Sequence, residues 1–235
     1  MHGADLYDDP RFLAGYQQLR AQKLGLNDEL EIPAMAALLP PAVGLRVLDL
    51  GCGEGGLAYR LAEDGAADVL AIDASASMLA NAARHPRIRY QRADIAVLEL
   101  APASVELVVS SLALHYVEDF DGLVGRIGRW LSPGGSFLFS VEHPVVTAPA
   151  EASDDRLDSY ADEGPRQRKW FGQDVVKYHR TVSSILGALR RHGLHLDAVD
   201  EPQPSPEQLQ RTPHLAIHRQ RPPLLVAAAS LGPGA

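Results

Sequence analysis

Asp49, Gly51, Gly53 and Gly55 are the residues whose types and spacing first suggest chemistry. They lie in residues 47–56, where an apolar run ends around an acid and passes directly into a glycine-rich turn. A helical pattern follows from Leu57. Glycine has no Cβ and tolerates unusual backbone angles, so a ligand can approach such a turn closely. The free N–H groups of the following helix point at whatever occupies it. This combination suits a nucleotide-like cofactor.

Two cofactor readings compete. Gly51, Gly53 and Gly56 fit G-x-G-x-x-G, the dinucleotide fingerprint, which is weak alone. Asp49 with Gly51, Gly53 and Gly55 fits D-x-G-x-G-x-G equally well. The acid separates the readings. A carboxylate beside a pyrophosphate is repelled by it. S-adenosyl-L-methionine has no phosphate and carries a sulfonium and an ammonium, both compatible with a nearby carboxylate. Asp49 therefore favours S-adenosyl-L-methionine, with Gly51 and Gly53 as the floor of its site. Cys52, inside the turn, reads as a small structural residue.

Further candidates follow along the chain. Asp73 ends a second apolar run, where a carboxylate can accept from both hydroxyls of a ribose, or cap the next helix, or both. Ala74 and Met78 are placed to pack on an adenine, with plain core as the alternative for Met78. Ser110 and Leu112 follow the fourth strand, where the strand order is expected to reverse and ligands bind. His115 and His143 are candidate general bases, and Tyr116 lies beside the first. The ordinary alternative for either histidine is a hydrogen-bonded packing residue. Tyr160, Trp170, Tyr178, His179 and Arg180 offer the aromatic and cationic mixture that holds a planar or anionic substrate, or they pack a loop onto the sheet.

Composition narrows the classes. The 235 residues suffice for one large α/β domain or a domain with a lid. A formal charge of −8 argues against a partner gripped by its phosphate backbone. One cysteine cannot form an internal disulfide, so a reducing, cytoplasmic setting is expected. The start reads as acidic and polar rather than as a signal peptide, and no apolar run approaches the ~20 residues of a membrane span.

These residues need elements to position them. Amphipathic helices are predicted over 11–25 and 28–39, ended by Pro40-Pro41. Strands are predicted at 45–50, 68–73, 88–91, 105–110, 136–141, 194–201 and 224–229. Helices are predicted at 57–64, from Ser75 through Arg84, at 122–131 and at 178–192. Residues 143–175 are polar with no clear period, and 202–223 is proline-rich and reads as non-helical. The tail from Gly232 is expected to be loose. The alternation implies an α/β fold: a doubly wound, seven-stranded, mostly parallel sheet. Residues 1–44 are expected to form an N-terminal helical lid. Residues 45–235 form the main domain, with 143–175 as an insert after strand five.

Here the chain resembles the class I S-adenosylmethionine-dependent methyltransferases, whose sheet is Rossmann-like. The resemblance rests on the turn after Asp49, on Asp73, on Asp94-Ile95, on residues 131–135 (Leu-Ser-Pro-Gly-Gly) and on two late strands. A closer likeness, to bacterial methyltransferases of unassigned substrate, rests on residues 110–116, 141–144 and 177–181, on Glu201-Pro202 and on Arg221-Pro222. The resemblance implies that Asp94 accepts from the adenine amino group, with the Ile95 N–H nearby. It also implies a helix closing over the cofactor, Tyr16 covering it and Arg20 meeting the methionine carboxylate. A solvated helix face is the alternative for those two.

The expected activity is methyl transfer to N or O of a small molecule. Alternatives are a tRNA-modifying methyltransferase, an NAD-dependent oxidoreductase and a non-catalytic cofactor-binding protein. The close-approach argument has a direct test. Gly53→Val is expected to abolish S-adenosylhomocysteine binding in calorimetry while circular dichroism shows the fold retained. Normal binding by the variant would contradict the argument.

Overall fold

The computed structural model describes residues 6–21, 25–149 and 159–233. Its strands are β1 (Arg46–Leu50), β2 (Asp68–Asp73), β3 (Ile88–Arg92), β4 (Val105–Ser111), β5 (Leu131–Glu142), β6 (Gly164–Trp170), β7 (Gln173–His179), β8 (Leu194–Asp200) and β9 (Leu224–Leu231). Its α-helices are α1 (Pro10–Ala21), α2 (Ile32–Leu38), α3 (Gly56–Glu63), α4 (Ala76–Ala80), α5 (Phe120–Trp130), α6 (Pro144–Thr147), α7 (Val182–Arg191) and α8 (Pro206–Arg211).

Seven strands form one sheet in the order β3-β2-β1-β4-β5-β9-β8. The first five named are mutually parallel, and β9 runs antiparallel between β5 and β8. Both faces are covered, so the central strands are apolar on both sides. Leu48, Leu50, Ile72 and Phe139 pack on one face with Leu123, Ile127 and Trp130 of α5 and Leu189 of α7. Val47, Val69, Val109 and Leu138 pack on the other with Met35 of α2 and Leu61 of α3. The chain leaves β1 for β2 on one side and returns to β4 on the other. The crevice between β1 and β4 is thus where the strand order reverses, and ligands bind at such points.

Two pieces roof that crevice. The N-terminal segment is tied down by polar contacts. Gln17 donates to Glu54 in the glycine turn at 2.6 Å, and Asp8 accepts from the Ser75 hydroxyl at 2.6 Å. Glu31 accepts from Ser111 and Ser140, at the ends of β4 and β5, at 2.7 and 2.6 Å. The second piece is a hairpin of β6 and β7. Phe12 and Val175 pack the two together, with Tyr7, Tyr16, Tyr116 and Trp170 around them.

The structure corrects several element boundaries. Residues 143–175 carry order that the sequence pattern hid. His143 caps α6, and Trp170 pairs with Gln173 across Phe171-Gly172. Both turn residues have positive φ, 45° and 77°, as a two-residue hairpin turn of matching twist requires. The polar alternation of β6 gives no apolar signal. Tyr178 and His179 belong to β7, and α7 starts later because the Thr181 side chain caps it. Residues 202–223 are not free of helix. Ser205 and Gln208 form a capping box for α8, with Pro206 in its first turn, where a missing N–H costs nothing. Pro213–Arg219 form a 3-10 turn. The helix after Ser75 ends at Ala80, capped at Asn81, rather than at Arg84. Residues 22–24 of the first expected helix, 150–158 of the insert and the last two of the tail lie outside the described residues. Among the described residues no helix is long and apolar enough to cross a membrane.

Candidate functional site

The C-terminal ends of β1, β4 and β5 open into a cavity of about 1250 Å³ beneath α1 and the β6–β7 hairpin. Its floor is the turn between β1 and α3. Gly51, Gly53 and Gly55 all have positive φ, from 56° to 77°. A Cβ on Gly51 collides with Ala113, and one on Gly55 collides with Tyr90. A Cβ on Gly53 meets nothing within 4 Å, so the space beside it is free for a ligand.

Three carboxyl groups gather around this floor. Asp49 is 1 % exposed. A hydrogen bond from the Ala58 backbone in α3 reaches the carboxylate, yet its Oδ2 has no partner. Burial, then the charge of Asp73, push its pKa up to about 7. Asp73 takes the Gly53 N–H on Oδ2 and the Ser75 N–H on Oδ1, both at 2.8 Å, and so braces the turn. Burial raises its pKa, against the pull of those bonds. Burial also raises Glu31, and its bonds from Ser140 and Ser111 oppose the rise. Leu112 beside them holds a left-handed backbone at φ 52°, pinned by its N–H to the Ser140 carbonyl and hydroxyl. A leucine in that region is strained, and such strain gathers at ligand sites.

The donor set fits the expected cofactor. An orphaned buried carboxylate oxygen calls for a cation, which a sulfonium- and ammonium-bearing molecule supplies and a pyrophosphate does not. Tyr16, Arg20, Asp49, Gly51, Gly53, Asp73, Ala74, Met78, Asp94, Ile95 and Leu112 all line the cavity. Arg20 pairs with Asp28 at 3.3 Å, and Asp94 accepts the Ala96 N–H at 2.8 Å. Ser110 does not line it. Its hydroxyl donates to the Leu50 carbonyl at 2.7 Å inside the sheet, and Ser111 faces the cavity instead. Burial pushes the Cys52 thiol far up, so it holds its proton.

The side of the cavity away from the glycine turn is built by β5, β7 and the segment after β4. His115, Tyr116, Trp170 and Tyr178 line it. His115 is buried, and burial depresses its pKa to about 3. The other expected residues stand elsewhere. His143 accepts the Val145 N–H on Nδ1 at 3.1 Å, so its Nε2 donates to Glu201 at 2.6 Å. That arrangement caps α6 and leaves the ring outside the cavity. His179 donates from Nε2 to the Tyr160 carbonyl at 2.9 Å and binds the Thr147 hydroxyl at 2.8 Å. The Tyr160 hydroxyl accepts the Val182 N–H at the start of α7. Arg180 holds the carbonyls of Val117 and Glu118.

Tyr7, Glu31, Glu142 and Lys177 line the cavity without having been singled out from sequence. Glu142 and Lys177 sat inside the motifs at 141–144 and 177–181. The period-two pattern of β7 puts Val175, Lys177 and His179 on its buried face, which is the signal that finds Lys177. Nothing in the sequence pattern marks Tyr7.

Comparisons with known proteins bear on the family of the chain. Residues 47–135 match the family described as methyltransferase domain. A crystal structure of an S-adenosylmethionine-dependent methyltransferase from Mesorhizobium loti superposes with a TM-score of 0.81 at 42 % identity, over 88 % of this chain and all of that one. An uncharacterised protein of Haemophilus influenzae is 35 % identical over 95 % of this chain and 96 % of its own length. The trans-aconitate 2-methyltransferase of Deinococcus radiodurans is 33 % identical over 57 % of this chain, which spans 55 % of that protein.

Two measurements check the site. With Asp49 raised to about 7, its carboxyl is protonated below that pH, and a cationic ligand must expel the proton. S-adenosylhomocysteine affinity is expected to rise as pH climbs through about 7 and to level above it, and Asp49→Asn to flatten the profile. A flat wild-type profile would contradict this. His143→Ala is expected to act on stability, through a lost cap of about 1 kcal/mol or roughly 2–4 °C in melting temperature. A fall in turnover of about 10²-fold or more would instead return it to the chemistry.

Proposed function

Because this chain belongs to the S-adenosylmethionine-dependent methyltransferases, we propose that it methylates a nitrogen or oxygen of a small-molecule acceptor held between the glycine turn and the β6–β7 hairpin. The observation that carries the reading is the single continuous cavity. At about 1250 Å³ it exceeds the roughly 300–1,000 Å³ of an ordinary ligand site, leaving room for cofactor and acceptor together. The Deinococcus radiodurans relative is named for trans-aconitate, a compound of this size class.

S-adenosyl-L-methionine, when bound, supplies an electrophilic methyl group on a sulfonium. The protein's own residues bind, orient and exclude water. The Gly53 side of the turn takes the cofactor backbone-on, Asp73 holds the ribose, and Asp49 faces cationic charge. Asp94 and Ile95 hold the adenine, and Arg20 and Tyr16 close the cap over the far end. Tyr7, Tyr116 and Trp170 wall the acceptor side and keep water from competing as nucleophile. Most of the rate advantage then comes from holding the acceptor atom in line with the methyl group. His115 enters as a cavity wall and hydrogen-bonding group, because a base with a pKa near 3 keeps no proton at neutral pH. The negative net charge supports a small acceptor over a polynucleotide.

The test is methyl transfer from labelled S-adenosyl-L-methionine into a cell extract separated into small-molecule, RNA and protein fractions. Label is expected in the small-molecule fraction. Label confined to RNA or protein would overturn the acceptor class.

A further inference from the structure

Lys177 gives the acceptor side a chemistry that methyl transfer in general does not require. The residue is 7 % exposed yet lines the cavity. Its ammonium lies 5.1 Å from the Trp170 ring centre and 5.8 Å from that of Tyr116. It donates to Glu142 at 2.5 Å. An ammonium has three donors, and Glu142 accounts for one. The aromatic faces and the carboxylate fix the charge in place and leave donors for a ligand.

We infer that the acceptor carries a carboxylate, that Lys177 binds it, and that the methyl group is placed on its oxygen to give a methyl ester. This rests on the methyl-transfer reading above.

Two observations favour a carboxylate over an amine or alcohol. The aromatic enclosure of Tyr116 and Trp170 already contains a cation. A protonated amine entering beside it finds the ring faces already taken by the Lys177 ammonium. The second observation is the protonation of the wall. A protonated amine or an alcohol must lose a proton to react, and the groups at hand are poor bases. His115 is depressed to about 3 by burial. Burial opposes the charge of Glu142, but Lys177, His115 and Arg168 together hold it below the ordinary carboxylate range. Burial raises Tyr7, Tyr16 and Tyr116, so all three keep their protons; Tyr116 hydrogen-bonds Tyr7, which leaves the Tyr7 hydroxyl as a donor. A carboxylate arrives deprotonated at neutral pH and needs no base. Protonated tyrosines and a fixed ammonium are what its oxygens accept from.

The step balances without a further reactant. A carboxylate lone pair forms the new O–CH₃ bond as the S–CH₃ bond breaks. That bonding pair stays on sulfur, the sulfonium becomes a thioether, and no proton is released.

The experiment uses the labelled small-molecule fraction of the extract. Mild alkali is expected to release the label as volatile methanol, because it cleaves a methyl ester and leaves N-methyl groups and ethers intact. The double variant Lys177→Met with Glu142→Gln removes both charges together. It is expected to need about tenfold or more of the metabolite fraction for half-maximal labelling, while S-adenosylhomocysteine affinity by calorimetry stays at the wild-type value. Lys177→Arg, which keeps the charge, is expected to fall between, and it serves if the double variant does not fold. Alkali-stable label overturns the carboxylate assignment and leaves methyl transfer standing. So does an unchanged requirement for the metabolite fraction in the variants. Absence of label from every fraction, with S-adenosylhomocysteine still binding, overturns the methyl-transfer reading itself and this inference with it.

Discussion

A fully buried carboxyl group at the tip of β1 is the constraint around which this molecule is organised. Asp49 has one oxygen without a partner, Asp73 stands across the glycine turn, and Glu31 reaches in from the cap. Three acids around one cavity repel one another, and the interior is a poor solvent for their charge. The protein alone relieves this partly, by holding Asp49 half-protonated near neutral pH and by feeding backbone N–H groups to Asp73. A raised pKa of this kind stabilises the empty fold below the ordinary carboxylate range. That contribution is lost as pH rises through about 7. A cation in the cavity removes the conflict. On the proposed reading the site is built around the charge of its cofactor, and the same acids that suit a sulfonium and an ammonium disfavour a pyrophosphate.

The roof follows from the same arrangement. Glu31 is buried, but it holds the ends of β4 and β5 together through Ser111 and Ser140, and Ser140 pins the left-handed Leu112. The cap is therefore fastened to the strand ends that shape the cavity. The aromatic cluster then joins the cap to the hairpin. Tyr7 meets Tyr16 and Trp170 edge-on, with ring centres 5.3 and 6.3 Å apart. The glycine-turn end of the cavity is acidic and lined by backbone, whereas the hairpin end is aromatic with a lysine fixed in it. On the proposed reading one end receives the charge of the cofactor, and the other offers a cation and hydroxyl donors to the acceptor.

The sheet and the acid-and-glycine end of the cavity are legible in the sequence for a physical reason. Buried parallel strands are apolar runs, and Asp49, the glycines and Asp73 sit at the ends of such runs, where chain order dictates their neighbourhood. The hairpin end is less legible because its elements lack that signal. The hairpin strand β6 alternates polar residues on both faces, and the α8 segment hides a capping box among prolines. Its place directly after β5 makes His143 a candidate base from sequence. One residue decides the matter: Glu142 lines the cavity, while His143 turns back to cap α6. Ser110 and Ser111 differ in the same way, as neighbours on a strand face opposite sides. Position at a strand end locates a site to within a residue, and the pleat then decides which side chain enters it.

The most direct test of the account is a crystal structure with S-adenosylhomocysteine bound. The account predicts the ligand over Gly51 and Gly53, its ribose hydroxyls on Asp73, and its ammonium on the side of the cavity that Asp49 lines, with the thioether sulfur turned toward Tyr116 and Lys177. A ligand bound away from the glycine turn would contradict it. So would one whose ammonium points away from Asp49, because the buried acid would then have no counter-charge and no role in the site.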